Sequence, residues 1–266
     1  MQGHGCDLVV AHRDSSVRIH SGEPIGREAR EEREAATLRP GATLAKGAGE
    51  RARPEAPDPE RTCFQRDRDR IVHSTAFRRL AGKTQVVVHP TDHQRTRLTH
   101  ALEVAQVATS IARAVGANVT LAEAIALGHD CGHGPGGHAS EEAFDAFLPD
   151  GFDHGPWGAD VALAELNLCA QTLDGIRNHS WSRPAPATIE GEIVSWADRI
   201  AYCAHDLEDA VHAGIVQIGE QRELPHDLVL AQGQVQLGAA FGLLAPLADI
   251  VHQLDVHLGA DQAVVA

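Results

Sequence analysis

His129 is followed directly by Asp130, where a predicted helix ends. This order brings an imidazole nitrogen next to a carboxylate oxygen, a donor pair that suits a borderline or hard divalent cation such as Mn, Fe, Zn, Co or Mg. The chain then carries His133, His138 and Glu141, separated by Gly and Pro. These breakers indicate that the chain leaves the helix and loops back. The stretch predicts a hydrolytic metal site, and taken alone it also fits a glycine-rich surface loop that holds histidines by chance.

Two more candidate ligands lie on neighbouring predicted helices. His100 lies in the first turn of a helix that opens at Arg97 and ends at Gly116, because apolar residues recur at helical spacing between them. Asp198 lies among apolar neighbours in a helix predicted over residues 188–213, where a carboxylate costs free energy unless it is paired or coordinated. Three helices would thus supply one set of ligands: His100, His129, Asp130 and Asp198.

The remaining elements follow from periodicity and breakers. A capping box at Thr120 and Glu123 predicts the start of the helix that carries His129. The other predictions are a helix over 71–82, an extended segment over 83–88, a short helix over 141–148, a loop over 151–157, a helix over 161–176 and a polar loop over 178–182.

Composition restricts the class of protein. The 266 residues are 43% hydrophobic and only 4% aromatic, which favours helices built from Ala and Leu. The net charge of −14 argues against general nucleic-acid binding. The five cysteines lack paired spacing, which indicates a reducing compartment. Without an apolar run long enough for a signal peptide or a membrane span, we expect a cytoplasmic protein.

The chain divides into three parts by composition. Residues 1–60 predict an arm and linker that are partly disordered, with a charged helix over 27–38. Residues 61–222 predict the compact domain, and residues 223–266, which contain no Lys or Arg, predict a weakly helical tail. The arginines between Arg66 and Arg70 fit either a solvated helix start or a clamp for a polyphosphate.

The ligand set and several longer motifs resemble the HD-domain metal-dependent phosphohydrolases, and within them the dGTPase-type deoxynucleoside triphosphate triphosphohydrolases. The motifs that carry this resemblance stand in order over roughly residues 27–218: 64–74, 76–80, 83–86, 95–100, 127–138, 198–202 and 205–207. The resemblance implies an all-α HD-domain helical bundle with a metal site in its centre.

The resemblance also implies a reaction. Such enzymes cut dGTP-like nucleotides between the 5′ oxygen and the α-phosphate, which releases a deoxynucleoside and tripolyphosphate. One divalent metal, Mn, Mg, Co, Fe or Zn, would polarise the α-phosphate and lower the pKa of a bound water. His138 and Glu141 match the catalytic histidine and its acidic partner, and a histidine near neutral pKa can protonate the leaving oxygen. His154 resembles a further histidine that reaches the phosphates.

Four positions match the substrate-binding residues of these enzymes. Arg97, one turn before His100, would face the α-phosphate. Gln85, Tyr202 and Asp206 would surround the sugar and its 3′ hydroxyl, and the ring of Tyr202 would reject a 2′ hydroxyl on steric grounds.

Three departures from the family pattern stand out. Gly136 replaces a Phe before His138, which adds backbone freedom to the loop. Residues 155–158 read Gly-Pro-Trp-Gly where Asn and Gln are usual, so the role of His154 is open. The resemblance fades after about Gly219.

Two alternatives remain at this point. The chain could be another HD-domain phosphohydrolase, a 5′-nucleotidase or an alarmone hydrolase, although Gln85, Tyr202 and Asp206 speak against that. It could also be a catalytically impaired nucleotide-binding homologue, although every metal ligand, His138 and Glu141 are present. The resemblance further implies a homo-oligomer and, as in some members of the family, a dNTP as an allosteric effector. The charged helix over 27–38 is our candidate for the contact between subunits.

Overall fold

The computed structural model describes residues 24–149 and 151–216, together with residues 12, 14 and 16. Its α-helices are α1 (Arg27–Thr37), α2 (Cys63–His73), α3 (Thr75–Arg79), α4 (Arg97–Val115), α5 (Val119–Gly128), α6 (His138–Asp145), α7 (His154–Trp157), α8 (Ala170–Asn178), α9 (Ile189–Ala201) and α10 (Leu207–His212). Within these ranges no strand forms, and only the isolated bridges Arg51–Cys169 and Thr84–Thr96 pair extended backbone. The all-α prediction is confirmed. The predicted tail over 223–266 lies outside the described residues, as does most of 1–26.

Helix α5 is the centre of the bundle. It packs against α2, α4, α8 and α9, and most of its residues are buried. A Cβ at Gly175 of α8 would lie 2.8 Å from Cγ1 of Ile125, so the close approach of α8 to α5 requires a glycine there. None of the helices in the described part of the chain is long and apolar enough to cross a membrane.

The long helix α4 has the bounds that the sequence predicts. It begins after Thr96, whose N–H donates to Thr99 Oγ1 at 3.0 Å. It ends at Gly116, which has the left-handed φ of 76° that favours glycine. This places His100 in the first turn, as predicted.

The predicted cap of α5 is wrong. Asn118, not Thr120, precedes the helix, and its Oδ1 accepts from the N–H groups of Thr120 and Leu121 at 3.1 and 3.2 Å. Asn is as good a cap as Thr, and the cap two residues earlier lets Val119 begin the helix.

The predicted helix over 71–82 is wrong as a single element. The side chains of Thr62 and Gln65 form a reciprocal capping box that starts α2 at Cys63, eight residues earlier and ahead of the arginine run. Ser74, with an extended ψ of 156°, then ends α2, and its Oγ accepts from Phe77 N–H to start α3. The segment over 83–88 is not a strand but a series of bends.

The predictions over 141–176 are correct only in part. Helix α6 begins at His138, three residues early, and the predicted loop over 151–157 contains α7. Asp153 Oδ1 caps α7 by accepting from Gly155 N–H at 3.0 Å, and Pro156 lies in the first turn, where its missing N–H is not needed. The predicted helix over 161–176 is interrupted at Asn167, whose φ of 52° is left-handed, so that α8 starts only at Ala170.

The arginine run over 66–70 belongs to a network of ion pairs. Arg66 and Arg70 both contact Glu55, at 2.6 and 2.5 Å, and Arg68 contacts Asp69 at 2.7 Å. These guanidinium groups are paired with carboxylates and do not line the cavity that contains the predicted ligands. The polyphosphate clamp that the run could also have formed is not found at this place.

The segment before α2 lies against the bundle. Glu190 of α9 is fully buried, and its carboxylate accepts from the N–H groups of Thr43 and Asn118 at 3.1 and 2.8 Å and from the Thr43 hydroxyl at 2.7 Å. The boundaries at residues 60 and 222 stay predictions, and the described part of the arm is in contact with α5 and α9.

Candidate active site

The predicted site residues converge on one cavity of about 370 Å³. Nine of the eleven line it directly: Gln85, Arg97, His100, Asp130, His138, His154, Asp198, Tyr202 and Asp206. The other two contact lining residues: His129 Nε2 lies 3.4 Å from Asp130 Oδ1, and Glu141 Oε2 lies 3.4 Å from His138 Nδ1. The cavity lies where α4, α5, α6 and α9 meet.

The four predicted metal ligands are brought together. His100 Nε2 lies 2.9 Å from Asp198 Oδ1 and 3.9 Å from Asp130 Oδ2. His129 Nε2 lies 3.4 Å from Asp130 Oδ1 and 3.7 Å from Asp198 Oδ1. The donors come from α4, the end of α5 and α9, which are the three helices that the sequence predicts.

The contacts of His129 show whether the four predicted ligands fit a cation. His129 Nδ1 lies 2.6 Å from the carbonyl oxygen of Ala126, which can only accept, so Nδ1 carries a proton and, in the neutral ring, Nε2 keeps its lone pair. Nε2 is buried, has no hydrogen-bond partner and faces two carboxylate oxygens. A lone pair aimed at anions is stable only with a cation between them, and an N–H bonded to a carbonyl is the usual orientation of a ligating histidine. The residues therefore fit a divalent metal.

Arg97 is buried beside this set and not at the cavity mouth. Its Nη1 donates to Asp130 Oδ2 at 2.7 Å, while its Nε has no partner. Burial alone would raise the pKa of Asp130, but the Arg97 guanidinium holds it well below the ordinary value. Asp130 is therefore a carboxylate at neutral pH, available to a cation.

The predicted catalytic group forms a short chain of contacts through Glu141. Glu141 Oε2 lies 3.4 Å from His138 Nδ1, and Oε1 lies 2.5 Å from His154 Nδ1. The hydrogen bond to Glu141 raises the pKa of His138, which is the exposed member of the pair. His154 is buried, so Glu141 links an accessible histidine to an inaccessible one.

Two buried histidines to which the sequence reasoning gave no role complete the site. His133 stacks on His154 with ring centroids 3.7 Å apart, and His179 Nε2 lies 3.0 Å from His154 Nε2. Burial lowers the pKa of each to about 3. A signal for His179 existed, since it follows an apolar helix as His129 does, but nothing in the sequence indicates that the ends of α5 and α8 meet.

The predicted sugar-binding residues line the same cavity. Gln85 Nε2 donates to Asp206 Oδ2 at 2.9 Å, which leaves Gln85 Oε1 and Asp206 Oδ1 buried without donors. Tyr202 and Asp206 bound a π-helical turn that continues α9, so the predicted helix over 188–213 contains a bulge where it reaches the cavity. The two free oxygens can accept from a hydroxyl group.

Glycines around His154 allow backbone segments to pack closely. A Cβ at Gly132 would overlap the carbonyl oxygen of His154 and lie 2.8 Å from Cα of Gly158, so the loop after α5 touches α7 through backbone alone. A Cβ at Gly155 would lie 2.7 Å from the carbonyl oxygen of Arg177. The close approaches at Gly132 and Gly155 hold His154 beside His179. At Gly136, the first departure from the family pattern, the N–H donates to Ser140 Oγ at 2.8 Å.

We expect Gly132→Ala to disturb the site and the fold together. The added methyl group meets rigid backbone, so the free energy of unfolding should fall by about 1–3 kcal/mol or more, as in overpacked cores, and His154 should be displaced. Chemical denaturation measures the first effect. Gly82→Ala is the matched control, because a Cβ there meets no atom within 4 Å and φ is not positive. Equal stability of the two variants would contradict the backbone contact.

Comparisons with known proteins agree with this geometry. The HD domain family matches residues 97–203. The chain is 47% identical over 214 residues to a deoxyguanosinetriphosphate triphosphohydrolase-like protein of Caldanaerobacter subterraneus subsp. tengcongensis, which covers 78% of this chain and 62% of that protein. Two further relatives carry the same description. The protein of Clostridium perfringens is 47% identical, and the match covers 67% of this chain and 54% of the relative. The protein of Deinococcus radiodurans is 44% identical, and the match covers 73% of this chain and 57% of the relative. The chain thus spans between about half and three-fifths of the length of these relatives.

Proposed function

We infer the function of this chain from its family: it belongs to the HD-domain proteins, with the deoxyguanosinetriphosphate triphosphohydrolase-like proteins that resemble it over most of its length. The family and the His and Asp donors make it a hydrolase with a metal site. We propose that it hydrolyses deoxynucleoside triphosphates, dGTP-like in kind, to deoxynucleoside and tripolyphosphate. The observation that carries this proposal is one cavity that joins the metal donors, a histidine–carboxylate pair and free acceptors for a sugar hydroxyl.

His100, His129, Asp130 and Asp198 would hold the metal. When bound, a divalent ion at such a site supplies Lewis-acid polarisation of a phosphoryl oxygen and acidifies water. The native ion is one of Mn, Mg, Co, Fe or Zn. Arg97, through its unpartnered Nε beside Asp130, would add positive charge where the α-phosphate lies.

His138 would be the general acid. The oxygen of water joins the α-phosphorus and releases a proton to solvent, the bond from that phosphorus to the 5′ oxygen breaks, and protonated His138 gives the 5′ oxygen its proton. The exposed position of His138 on the cavity wall lets it reach a substrate, and Glu141 orients its ring from the other side. His154 shares the same carboxylate, so Glu141 fixes both rings.

Gln85, Asp206 and Tyr202 would select the deoxy sugar. The free Gln85 Oε1 and Asp206 Oδ1 can accept from the 3′ hydroxyl, and burial raises the pKa of Asp206. The ring of Tyr202 lines the same cavity and would leave no room for a 2′ hydroxyl. The homo-oligomer and the dNTP effector stay predictions of the resemblance, and the cytoplasmic location stays a prediction of the composition.

The product separates the proposed reaction from its alternatives. The purified 266-residue chain is incubated with each dNTP and rNTP and with Mn, Mg or Co, and the products are resolved by chromatography. Tripolyphosphate with deoxynucleoside supports the proposal. Parallel incubations contain a nucleoside monophosphate or an alarmone nucleotide. Orthophosphate released from the monophosphate would indicate a 5′-nucleotidase, and pyrophosphate released from the alarmone would indicate an alarmone hydrolase. Binding of a dNTP without turnover would indicate an impaired homologue.

We expect His138→Gln to lower kcat by about 10²–10⁴-fold, the usual contribution of a general acid, and to leave KM within a few-fold. Steady-state kinetics with the preferred dNTP measures both. His73→Gln is the matched control, since His73 is exposed at the end of α2 and does not line the cavity. A loss confined to KM would show that His138 binds the substrate and does not donate the proton.

A further inference from the structure

Two cysteines that are more than a hundred residues apart in the sequence lie together in the fold. Cys63 is the first residue of α2, and Cys169 directly precedes α8. Their thiols are joined by a hydrogen bond, and the Cys63 sulfur also lies 3.6 Å from the carbonyl oxygen of Ala45. Neither cysteine lines the cavity that contains the predicted site residues, so the proposed hydrolysis uses neither thiol.

The backbone around this pair is fixed by Arg51 and Asp67. Arg51 Nη2 donates to the carbonyl oxygen of Cys63 at 3.1 Å, and the Arg51 backbone pairs with Cys169 in an isolated bridge. Asp67, one helical turn after Cys63, accepts from Cys169 N–H at 2.8 Å and from Arg51 Nη1 at 2.7 Å. Because the side chains of Arg51 and Asp67 are both buried, this network holds the two sulfur atoms next to each other.

Cys63 is the member of the pair that a small reagent can reach. It is half-buried and lines a polar cavity of about 420 Å³, whereas Cys169 is fully buried. The arm passes close to Cys63 at Gly49, where a Cβ would lie 3.0 Å from Cβ of Cys63 and where φ is 94°. The positive φ and the close approach both require a glycine at this place.

The two thiols differ in acidity. The hydrogen bond from Cys169 lowers the pKa of Cys63, and the first turn of a helix also favours a thiolate. The same hydrogen bond, together with burial, raises the pKa of Cys169. Cys63 is therefore the nucleophile of the pair, and Cys169 is the thiol that can attack an oxidised Cys63.

We propose that Cys63 and Cys169 form an oxidation site, at which a hydroperoxide converts the two thiols into an intramolecular disulfide. Cys63 gives up its thiol proton and attacks one oxygen of hydrogen peroxide. The O–O bond breaks, and the leaving hydroxide takes up that proton to become water. The sulfur of Cys169 then attacks the sulfenic acid of Cys63, the S–O bond breaks, and the second hydroxide takes the Cys169 proton. The sulfurs lose two electrons, and the peroxide ends as two water molecules.

The disulfide would link the start of α2 to the start of α8. A cross-link that closes so long a loop restricts the unfolded chain strongly, so we expect the oxidised chain to unfold at least about 5 °C above the reduced one. In a reducing compartment such a bond is transient, which makes the oxidation reversible. The inference goes beyond the proposed function and does not depend on it, because its test contains no nucleotide.

The test identifies which cysteines become linked. The 266-residue chain is reduced, freed of reductant and treated with hydrogen peroxide at low protein concentration, and the remaining thiols are blocked with iodoacetamide. Cleavage after glutamate places Cys63 in the peptide 61–103 and Cys169 in the peptide 166–190, and neither peptide contains another cysteine. We expect mass spectrometry to find these two peptides joined, and to find them separate after reduction.

Variants show that both sulfurs are needed. Cys63→Ser and Cys169→Ser should form no intramolecular disulfide and should show no rise in the unfolding temperature. Cys203→Ser is the matched control, since Cys203 is half-buried as Cys63 is, and it should form the same linked peptide as wild type.

Either of two results would overturn the proposal. One is the absence of the joined peptides from peroxide-treated wild type, whatever oxidation state Cys63 reaches by itself. The other is a bond from Cys63 to a different cysteine. The peptides of wild type decide both points, so the test does not require the serine variants to fold.

Discussion

Replacing Asp130 by asparagine is expected to lower turnover by at least about 10³-fold, because a catalytic metal supplies several kcal/mol of transition-state stabilisation. The carboxylate faces His100 and His129, and one of its oxygens accepts from Arg97 at 2.7 Å. Asn keeps the shape but removes the charge that a cation and the guanidinium need. Steady-state rates with the preferred dNTP, and Mn²⁺ bound per chain, measure the loss.

The same variant should be less stable without metal. Arg97 would lose its buried counter-charge, and breaking a buried pair costs about 3–5 kcal/mol. Asp92→Asn, in an exposed loop, is the matched control. Turnover within a few-fold of wild type in Asp130→Asn would show that the reaction takes place at another site.

The second large effect concerns stability alone. Asp67 of α2 is fully buried, and its Oδ1 accepts from Arg51 at 2.7 Å while its Oδ2 accepts from Cys169 N–H at 2.8 Å and from the Thr172 hydroxyl at 2.7 Å. We expect Asp67→Asn to lower the free energy of unfolding by about 3–5 kcal/mol, because Arg51 is left buried without its counter-charge and the new amide places donors against donors.

Chemical denaturation measures this loss, and activity per folded molecule should remain, since Asp67 does not line the cavity. Glu165→Gln is the control. Glu165 forms an ion pair with Arg53 at 3.4 Å while both side chains are largely exposed, and such pairs contribute only about 0–1 kcal/mol. Similar losses in the two variants would refute the view that burial gives Asp67 its importance.

The sequence places the four candidate metal donors on the elements where the structure has them, because each stands at a helix position that spacing defines. His100 lies in the first turn of α4, His129 and Asp130 follow α5, and Asp198 lies within α9. Residue type and helical register are local properties, so they can be read without knowing how the helices pack. The same holds for Gly116, where the left-handed φ requires a glycine.

The missed features depend on contacts between distant segments. His179 belongs to the site only because α7 and α8 pack so that it meets His154, and short-range patterns carry no such information. The arginines over 66–70 could not be distinguished from a phosphate clamp because Glu55, which pairs with two of them, precedes them by more than ten residues. The interruption at Ser74 and the cap at Asn118 were missed because Ser, Thr and Asn all serve as helix N-caps. Residue type alone therefore does not show which of them begins a helix.

The buried carboxylate of Glu190 sets the length of chain that folds as a unit. It lies inside residues 97–203, the part that the HD domain family matches, but one of its partners, Thr43, lies more than fifty residues before that part begins. A fragment cut at those limits would expose the face of α5 that α2 covers and leave Glu190 without two of its hydrogen bonds. The region by which the family is recognised is thus smaller than the cooperative folding unit, and expression or crystallisation should retain the chain from before Thr43.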